Sequence, residues 1–484
     1  MNSYPATVES NSYPRLSPTL LLSLLLLQAC FVTLLLFEQY TALLVAVGGT
    51  LFVPYYLQRT VNSIILLPIF LYMPIALMEG VSLQLSELGA ILLIFSGFAA
   101  ICLTEVEKRY TFPAFIPIMF ILLGSVFSLK NARAPIAGLL LFFKHIEAFV
   151  VVYFVVVNFL YEKRDFRRIL WAIAWGGVTA GIHGILRFQL GLETRVFALH
   201  GGMYGGFIGM AIVSVIALSW SERRPPLRYM LWAMLPVMVV ALLLSQTRAW
   251  TFGTLFAVLL IVFLHGAKSG KFKIVFGLAM LGGIIVWLIQ NGLFGMISSG
   301  SLEGAAGKAL QTGLLESDDK AKLLSGLMRP IVWWYGFKAY QPFPLLGVGL
   351  GNLRFRNMFT GELGWPDDED AGFVDNQYFN VLFETGILGA IGWIWLIVLI
   401  YRRLKSLKLI ANDKEWRATA YALIGILVLW AIGGLFWVLD YAHESTVMLA
   451  FLFAMVIAAE RSCRHTQTNS SSLSHERDPS RIVL

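Results

Sequence analysis

Apolar runs of about 17 to 25 residues, separated by short polar breaks, recur along the whole chain. Runs of that length cross the hydrocarbon of a bilayer as helices, because lipid offers no water to satisfy an unpaired backbone. They fall near 18–37, 40–57, 62–79, 87–104, 112–129, 135–160, 169–188, 202–219, 229–246, 250–265, 273–290, 378–400, 418–437 and 443–460. Only 14% of the 484 residues are charged and 58% are hydrophobic, against about 25% charged in a soluble protein. The expected fold is an all-α polytopic membrane protein of about 12–14 transmembrane helices.

The net charge of +8 does not point to nucleic acid, because the cations sit in short breaks between spans. There they set orientation and meet anionic headgroups. Lys163/Arg164/Arg167/Arg168, Arg223/Arg224/Arg228, Lys268/Lys271/Lys273, Arg402/Arg403/Lys405/Lys408 and Arg461/Arg464 all fall on one side when the spans alternate. The positive-inside rule makes that side cytoplasmic, with Lys130 and Arg133 a minor exception. Cys30, Cys102 and Cys463 have no metal-ligand spacing and suggest no disulfide framework. The run from Leu20 to Phe37 has no small-residue cleavage site after it and is expected to be the first helix. The expected plan is a cytoplasmic tail over 1–17, a helix bundle over 18–290, a large outer loop over 291–377, the last spans over 378–460, and a disordered cytoplasmic tail over 461–484. In a two-membrane bacterium the loop would face the periplasm from the inner membrane.

That polar loop holds most of the water-facing chemistry available to the chain. It carries Arg329 ahead of Trp333 and Trp334, then QPFPLLGVGLGN from Gln341, then an acidic run, and it closes with DNQYFNVLFETGILG from Asp375. The topology brings Arg187, Arg195, Arg248 and Arg329 to the outer face, against the positive-inside bias. Any one alone is as well explained by snorkelling. Four together suit a diphosphate, since the planar guanidinium pairs bidentately with phosphate oxygens. Lys144 and Glu147 stand at i, i+3 in one span and are expected to pair internally. His183, one turn before Arg187, either lines the same cavity or packs at a helix interface. GVGLGN lacks the Lys-Ser/Thr of a phosphate loop and is expected to be a tight turn after Pro342 and Pro344. The acidic cluster Asp367, Asp368, Glu369, Asp370 is expected to be a solvated loop rather than a metal site. Asp375 is either a functional carboxylate or the N-cap of the next helix.

The order of these elements resembles the bacterial O-antigen ligase and O-antigen polymerase family of membrane glycosyltransferases. An arginine after Ser-Gln stands at an outer span end, Arg329 precedes WWYGFKAY, and PLLGVGLGN is followed by an Asp-Asn element with nine residues between Asn376 and Gly386, with Gly389 beyond. The resemblance covers 149–437 and is most specific over 329–389. It implies a GT-C-like helical fold and inverting transfer from a glycan on undecaprenyl pyrophosphate, with no cofactor and no metal. By position, Arg248 and Arg329 match the family's functional arginines and Asp375 stands where the family's loop histidine stands. Arg195 is a weaker match. Arg187, Arg195, Asn376, Trp333 and Trp334 are expected to bind substrate, the tryptophans and Trp365 offering flat faces to sugar rings or to headgroups. The aspartate in place of histidine favours a polymerase of O-antigen or exopolysaccharide over a ligase acting on lipid A-core. Expected partners are the lipid-linked oligosaccharide, an acceptor glycan, membrane lipid, a chain-length regulator and a flippase, with no nucleic acid. A transporter or flippase is the competing class, but it would place ionisable groups at the midplane and show related halves.

Overall fold

The computed structural model describes residues 60–72, 76–78, 81–103, 110–132, 135–191, 203–245, 247–266, 333–334, 336–352, 376–439 and 443–476. The expected spans at 18–37, 40–57 and 273–290 lie outside them. Among the described residues are eight helices long and apolar enough to cross a membrane, and three shorter apolar ones. In chain order these are α1 (Thr60–Leu71), α2 (Leu85–Leu103), α3 (Phe115–Ser128), α4 (Pro135–Phe159), α5 (Lys163–Gln189), α6 (Tyr204–Ser221), α7 (Pro225–Leu244), α8 (Arg248–Gly266), α9 (Gln377–Ile410), α10 (Lys414–Gly433) and α11 (His443–Glu476). Every expected span that falls on described residues coincides with one of them, so the chain is an all-α polytopic membrane protein.

Two boundaries differ from expectation. The span expected at 62–79 is helical only to Leu71, and an antiparallel hairpin follows, β1 (Ala76–Met78) pairing with β2 (Val81–Gln84). Pro74 explains the stop, since a proline disfavours helical backbone in the residue before it. The last helix also continues past 460 to Glu476, through residues expected to be a disordered tail. Contacts with the end of α9 hold its start: the Cys463 thiol lies 3.6 Å from the Ile410 carbonyl, and Arg464 donates to Ser406 Oγ at 2.6 Å.

Burial sorts the helices. The apolar stretches of α6 and α11 are 94% buried, as in central helices, whereas those of α7 and α8 are 28% buried and turn most of their surface outward. The ends of the bundle differ in charge. At one end Lys163 pairs with Asp413 at 3.2 Å and Glu415 at 3.0 Å, and Arg167 bridges Glu222 and Glu415. Arg403 reaches Glu460 at 3.2 Å, and Arg464 joins the same carboxylate. Glu222 and Glu460 are buried, so removing a partner would strand a charge and cost about 3–5 kcal/mol. These pairs fix which helix ends meet, and they define a basic end. The N-termini of α6, α8, α9 and α11 gather at the opposite end.

Candidate active site

The site is built where α9 begins at that opposite end. Asn376 is its N-cap: Oδ1 accepts from the backbone N–H of Tyr378 and Phe379, both at 3.0 Å. The Gln377 N–H donates to the Gly434 carbonyl at 2.8 Å, beyond the end of α10. The helix start therefore has its leading amides satisfied within the protein, which makes it a fixed platform and not a free anion-binding terminus. Asn376 Nδ2 donates to the Leu435 carbonyl at 3.1 Å, and Gln377 Oε1 accepts from the Leu439 N–H at 2.6 Å. Both side chains thus clamp the turn between α10 and α11 to the first residues of α9.

A break interrupts α9 two turns further on. Gly386 has φ 68° and ψ −169°, a conformation essentially reserved for glycine. The break strands the carbonyls of the preceding turn, and the loop segment supplies donors. Val348 N–H donates to Phe383 O at 2.8 Å, Gly349 N–H donates to Glu384 O at 3.2 Å, and Ile387 N–H donates back to Pro344 O at 3.0 Å. Buried backbone must be paired, so loop and break complete one another. The fit is close: a Cβ on Gly386 would lie 2.3 Å from Leu345 O, and one on Gly347 (φ 73°) would lie 2.3 Å from Glu384 O. GVGLGN is therefore a turn, as its composition predicts, but a buried one.

Helix α3 seats this segment from the other side. Asn131 Nδ2 donates to Gly347 O at 2.8 Å, Ser128 Oγ accepts from Leu350 N–H at 3.1 Å, and Asn352 Nδ2 donates to Asn131 O at 3.1 Å. Aromatic rings complete the docking. Trp333 meets Phe379 edge-on at 5.3 Å, Phe379 stacks on Phe383 at 5.6 Å, and Tyr340 packs on Phe383 at 5.4 Å. The Tyr340 hydroxyl donates to Pro344 O at 2.9 Å, and burial pushes its phenol up, so it remains a donor. Trp334 is 54% exposed and stacks on Phe337, with Lys338 Nζ 5.7 Å from its ring centre. Of the two expected sugar platforms, Trp334 presents a face outward, whereas Trp333 is partly engaged in packing.

Helix α8 arrives at the same end. Its first residue is Arg248, and two residues on Trp250 is buried against Gly433 of α10 and Gly205 and Gly206 of α6. Gly434, next to Gly433, carries the carbonyl that receives Gln377. The start of α8 and the start of α9 thus share one helix end, although the Arg248 side chain lies outside the described residues. Arg187, half-buried, is in the last turn of α5 at this end, and His183 is buried in the helix interior. Asp375, Arg329, Arg195, Trp365 and the acidic cluster 367–370 lie outside the described residues. Among the expected site residues, Asn376, Trp333 and Trp334 come together around α9.

Sequence reasoning picked out Asn376 but missed the two interior polar residues that continue its face. Asn376, Asn380 and Glu384 stand four apart on one face of α9, all at most 4% exposed, with Asn380 Nδ2 3.5 Å from Glu384 Oε2. A carboxylate inside the apolar run FNVLFETGILG was the available signal. Glu147 does not pair with Lys144 as expected. It sits in a π-helical stretch, Ile146–Val152, and its Oε1 lies 3.1 Å from Nε2 of buried His443 at the start of α11.

Residues 233–394 match the O-antigen ligase family model. The matched stretch runs from α7 through α8 and the large loop to the middle of α9, so it contains Arg248, Arg329, the docked segment, Asp375 and the break at Gly386. It supports the chain as a multi-pass member of the O-antigen ligase/polymerase family, whose members are glycosyltransferase-type enzymes, with a polysaccharide-related ligase or polymerase role. Arg187, Arg195, Glu147 and His443 fall outside the match. No curated protein matches the chain.

Proposed function

We propose that this chain is a polysaccharide polymerase that transfers glycan from undecaprenyl pyrophosphate to an acceptor sugar hydroxyl, at the membrane face opposite its basic end, the periplasmic face of a bacterial inner membrane. One observation carries most of the reading. Asn376 caps α9 and Gly434 takes the Gln377 amide, so the amides of Gln377, Tyr378 and Phe379 are already taken and none of them is left for a bound anion. The pyrophosphate must then be met by side-chain cations. Arg248 opens α8 beside this end, and Arg329 precedes Trp333 by four positions, a chain reach of about 14 Å at most.

In the step proposed, the acceptor oxygen attacks the anomeric carbon from the face opposite the pyrophosphate and gives its proton to Asp375. The bond between that carbon and the pyrophosphate oxygen breaks, its electron pair leaving with the oxygen, and configuration inverts. Arg248 and Arg329, with Arg195 and Arg187, hold the developing charge where water is scarce. Trp334 offers its exposed face to a sugar ring.

A ligase transferring finished glycan to lipid A-core is the second reading, favoured by the description of the matched family. Purified protein given lipid-linked repeats alone separates the two: a polymerase lengthens them, whereas a ligase leaves them unchanged until a second acceptor is added. In the same assay Arg329→Ala is expected to abolish long product at unchanged membrane abundance, and unaltered chain length would remove Arg329 from the site.

A further inference from the structure

At the basic end, far from α9's first turn, two cavities share a wall. Trp220, at the end of α6, stacks on His265, at the end of α8, with ring centres 4.2 Å apart and planes 11° from parallel. Tyr421 of α10 meets both rings edge-on, at 6.1 and 6.0 Å, and its hydroxyl reaches the Leu264 carbonyl at 3.3 Å. On one side of the stack a cavity of about 460 Å³ is lined by Arg228, Tyr229 and Trp232 of α7 together with Ser219. On the other a cavity of about 200 Å³ is lined by Lys414 and Arg417.

Some cations of this end engage carboxylates, and others, among them Arg223, Arg224, Arg402, Lys405 and Lys408, engage none among the described residues. Lys163, Arg164, Arg167, Arg168, Arg403 and Arg464 each engage a carboxylate. Arg228 and Lys414 engage none among the described residues, and Arg417 reaches only a backbone carbonyl, Asp413 O, at 3.4 Å. Three cations thus line the two cavities beside the aromatic stack, with no carboxylate paired to them among the described residues. The wall that carries Arg228 also faces outward: Tyr229 is 68% and Trp232 49% exposed.

We infer that the Trp220–His265 stack, with Arg228 on one side and Lys414 and Arg417 on the other, forms a binding site for the phosphate headgroup of an anionic phospholipid. The phosphate accepts from the guanidiniums, the glycerol lies against the stacked rings, and the acyl chains run down the exposed face of α7. The site selects against zwitterionic lipids, because an ammonium group would be brought among three cations. Basic pockets between transmembrane helices at the cytoplasmic surface are suited to such headgroups.

The test is lipid titration of the purified full chain in neutral detergent, followed by native mass spectrometry. Phosphatidylglycerol is expected to bind the wild type, with phosphatidylethanolamine at least tenfold weaker and millimolar inorganic phosphate failing to displace it. The double variant Arg228→Gln/Arg417→Gln should weaken phosphatidylglycerol at least tenfold, whereas Arg402→Gln, an exposed cation at the same end, should not. Equal retention by wild type and double variant, equal affinity for the two lipids, or displacement by free phosphate each overturns the inference. Should the double variant not fold, brominated phosphatidylglycerol decides on otherwise native protein. It should quench tryptophan fluorescence more than brominated phosphatidylethanolamine does, and Trp232→Phe should reduce that excess. No excess, or one unaffected by Trp232→Phe, rejects the site.

Discussion

Replacing Gly386 by alanine tests whether the docked loop holds the active-site platform in place. A methyl there would lie 2.3 Å from Leu345 O, and the backbone at φ 68°, ψ −169° costs a non-glycine residue about 1–3 kcal/mol. Relief requires either a straightened α9 or an expelled loop, and both break the hydrogen bonds from Val348, Gly349 and Ile387. Interhelical hydrogen bonds in membrane proteins average about 0.6 kcal/mol each, so the three together add about 2 kcal/mol. The bonds hold the docked state in both proteins, so the substitution shifts the docked–undocked equilibrium by the strain alone, about 1–3 kcal/mol and at its upper end about a hundredfold. Hydrogen exchange should report this at the amides of Val348, Gly349 and Ile387, with protection down by about that factor. Amides deep in α11, such as that of Val456, should keep theirs. Glycan-transfer activity should fall in parallel while the protein still accumulates in the membrane. Wild-type protection over 344–352 together with wild-type activity would refute the idea that loop and break support one another.

Other substitutions probe the same platform. Asn376→Ala removes the cap and should cost about 1 kcal/mol of stability, read as a lower melting temperature, with Asn376→Asp keeping the cap and losing only the bond to Leu435 O. Asp375→Asn should leave melting unchanged and cut turnover at least a hundredfold; equal losses in melting and turnover would make Asp375 structural. Glu147→Gln and His443→Gln should be strongly non-additive in a double-mutant cycle on thermal stability, with a coupling of about 1 kcal/mol. Additive losses would show that the 3.1 Å contact contributes nothing.

The membrane spans were legible because apolar length alone specifies them. Lipid leaves a run such as 204–221 no alternative to helix. The hairpin at 76–84 was missed because its residues are as apolar as those of α1, and only Pro74 marks the change. At the start of α9 the sequence offers two adjacent good caps, Asp375 and Asn376. The choice is made by Leu435 O and Gly434 O, which lie about sixty positions downstream and leave no local trace. Glu147 is a similar case. Helical spacing nominates Lys144, but the partner is His443, brought in by α11 from 296 residues away. The docking of GVGLGN against Gly386 was hidden for the same reason. Its glycines announce a turn, and nothing local says that a broken helix receives it.

The break also decides what supports the catalytic end. In a continuous helix, each amide of 387–390 would bind a carbonyl of the preceding turn, and Asn376 would be held by the whole length of α9. Here the carbonyls of Phe383 and Glu384 are given to Val348 and Gly349, so the first turns of α9 rest on the loop. The loop in turn rests on Ser128 and Asn131 at the end of α3. Positional precision at Asn376 therefore depends on a helix that carries no candidate catalytic residue and lies outside the family match at 233–394. Asn131→Ala removes a donor from buried Gly347 O, a loss of about 1–3 kcal/mol at the loop. It should lower activity and the protection of the Val348 amide together, while leaving the ion pairs of the basic end, and the melting they govern, unchanged. Loss of activity without loss of that protection would mean that α3 acts on the site by some route other than the loop.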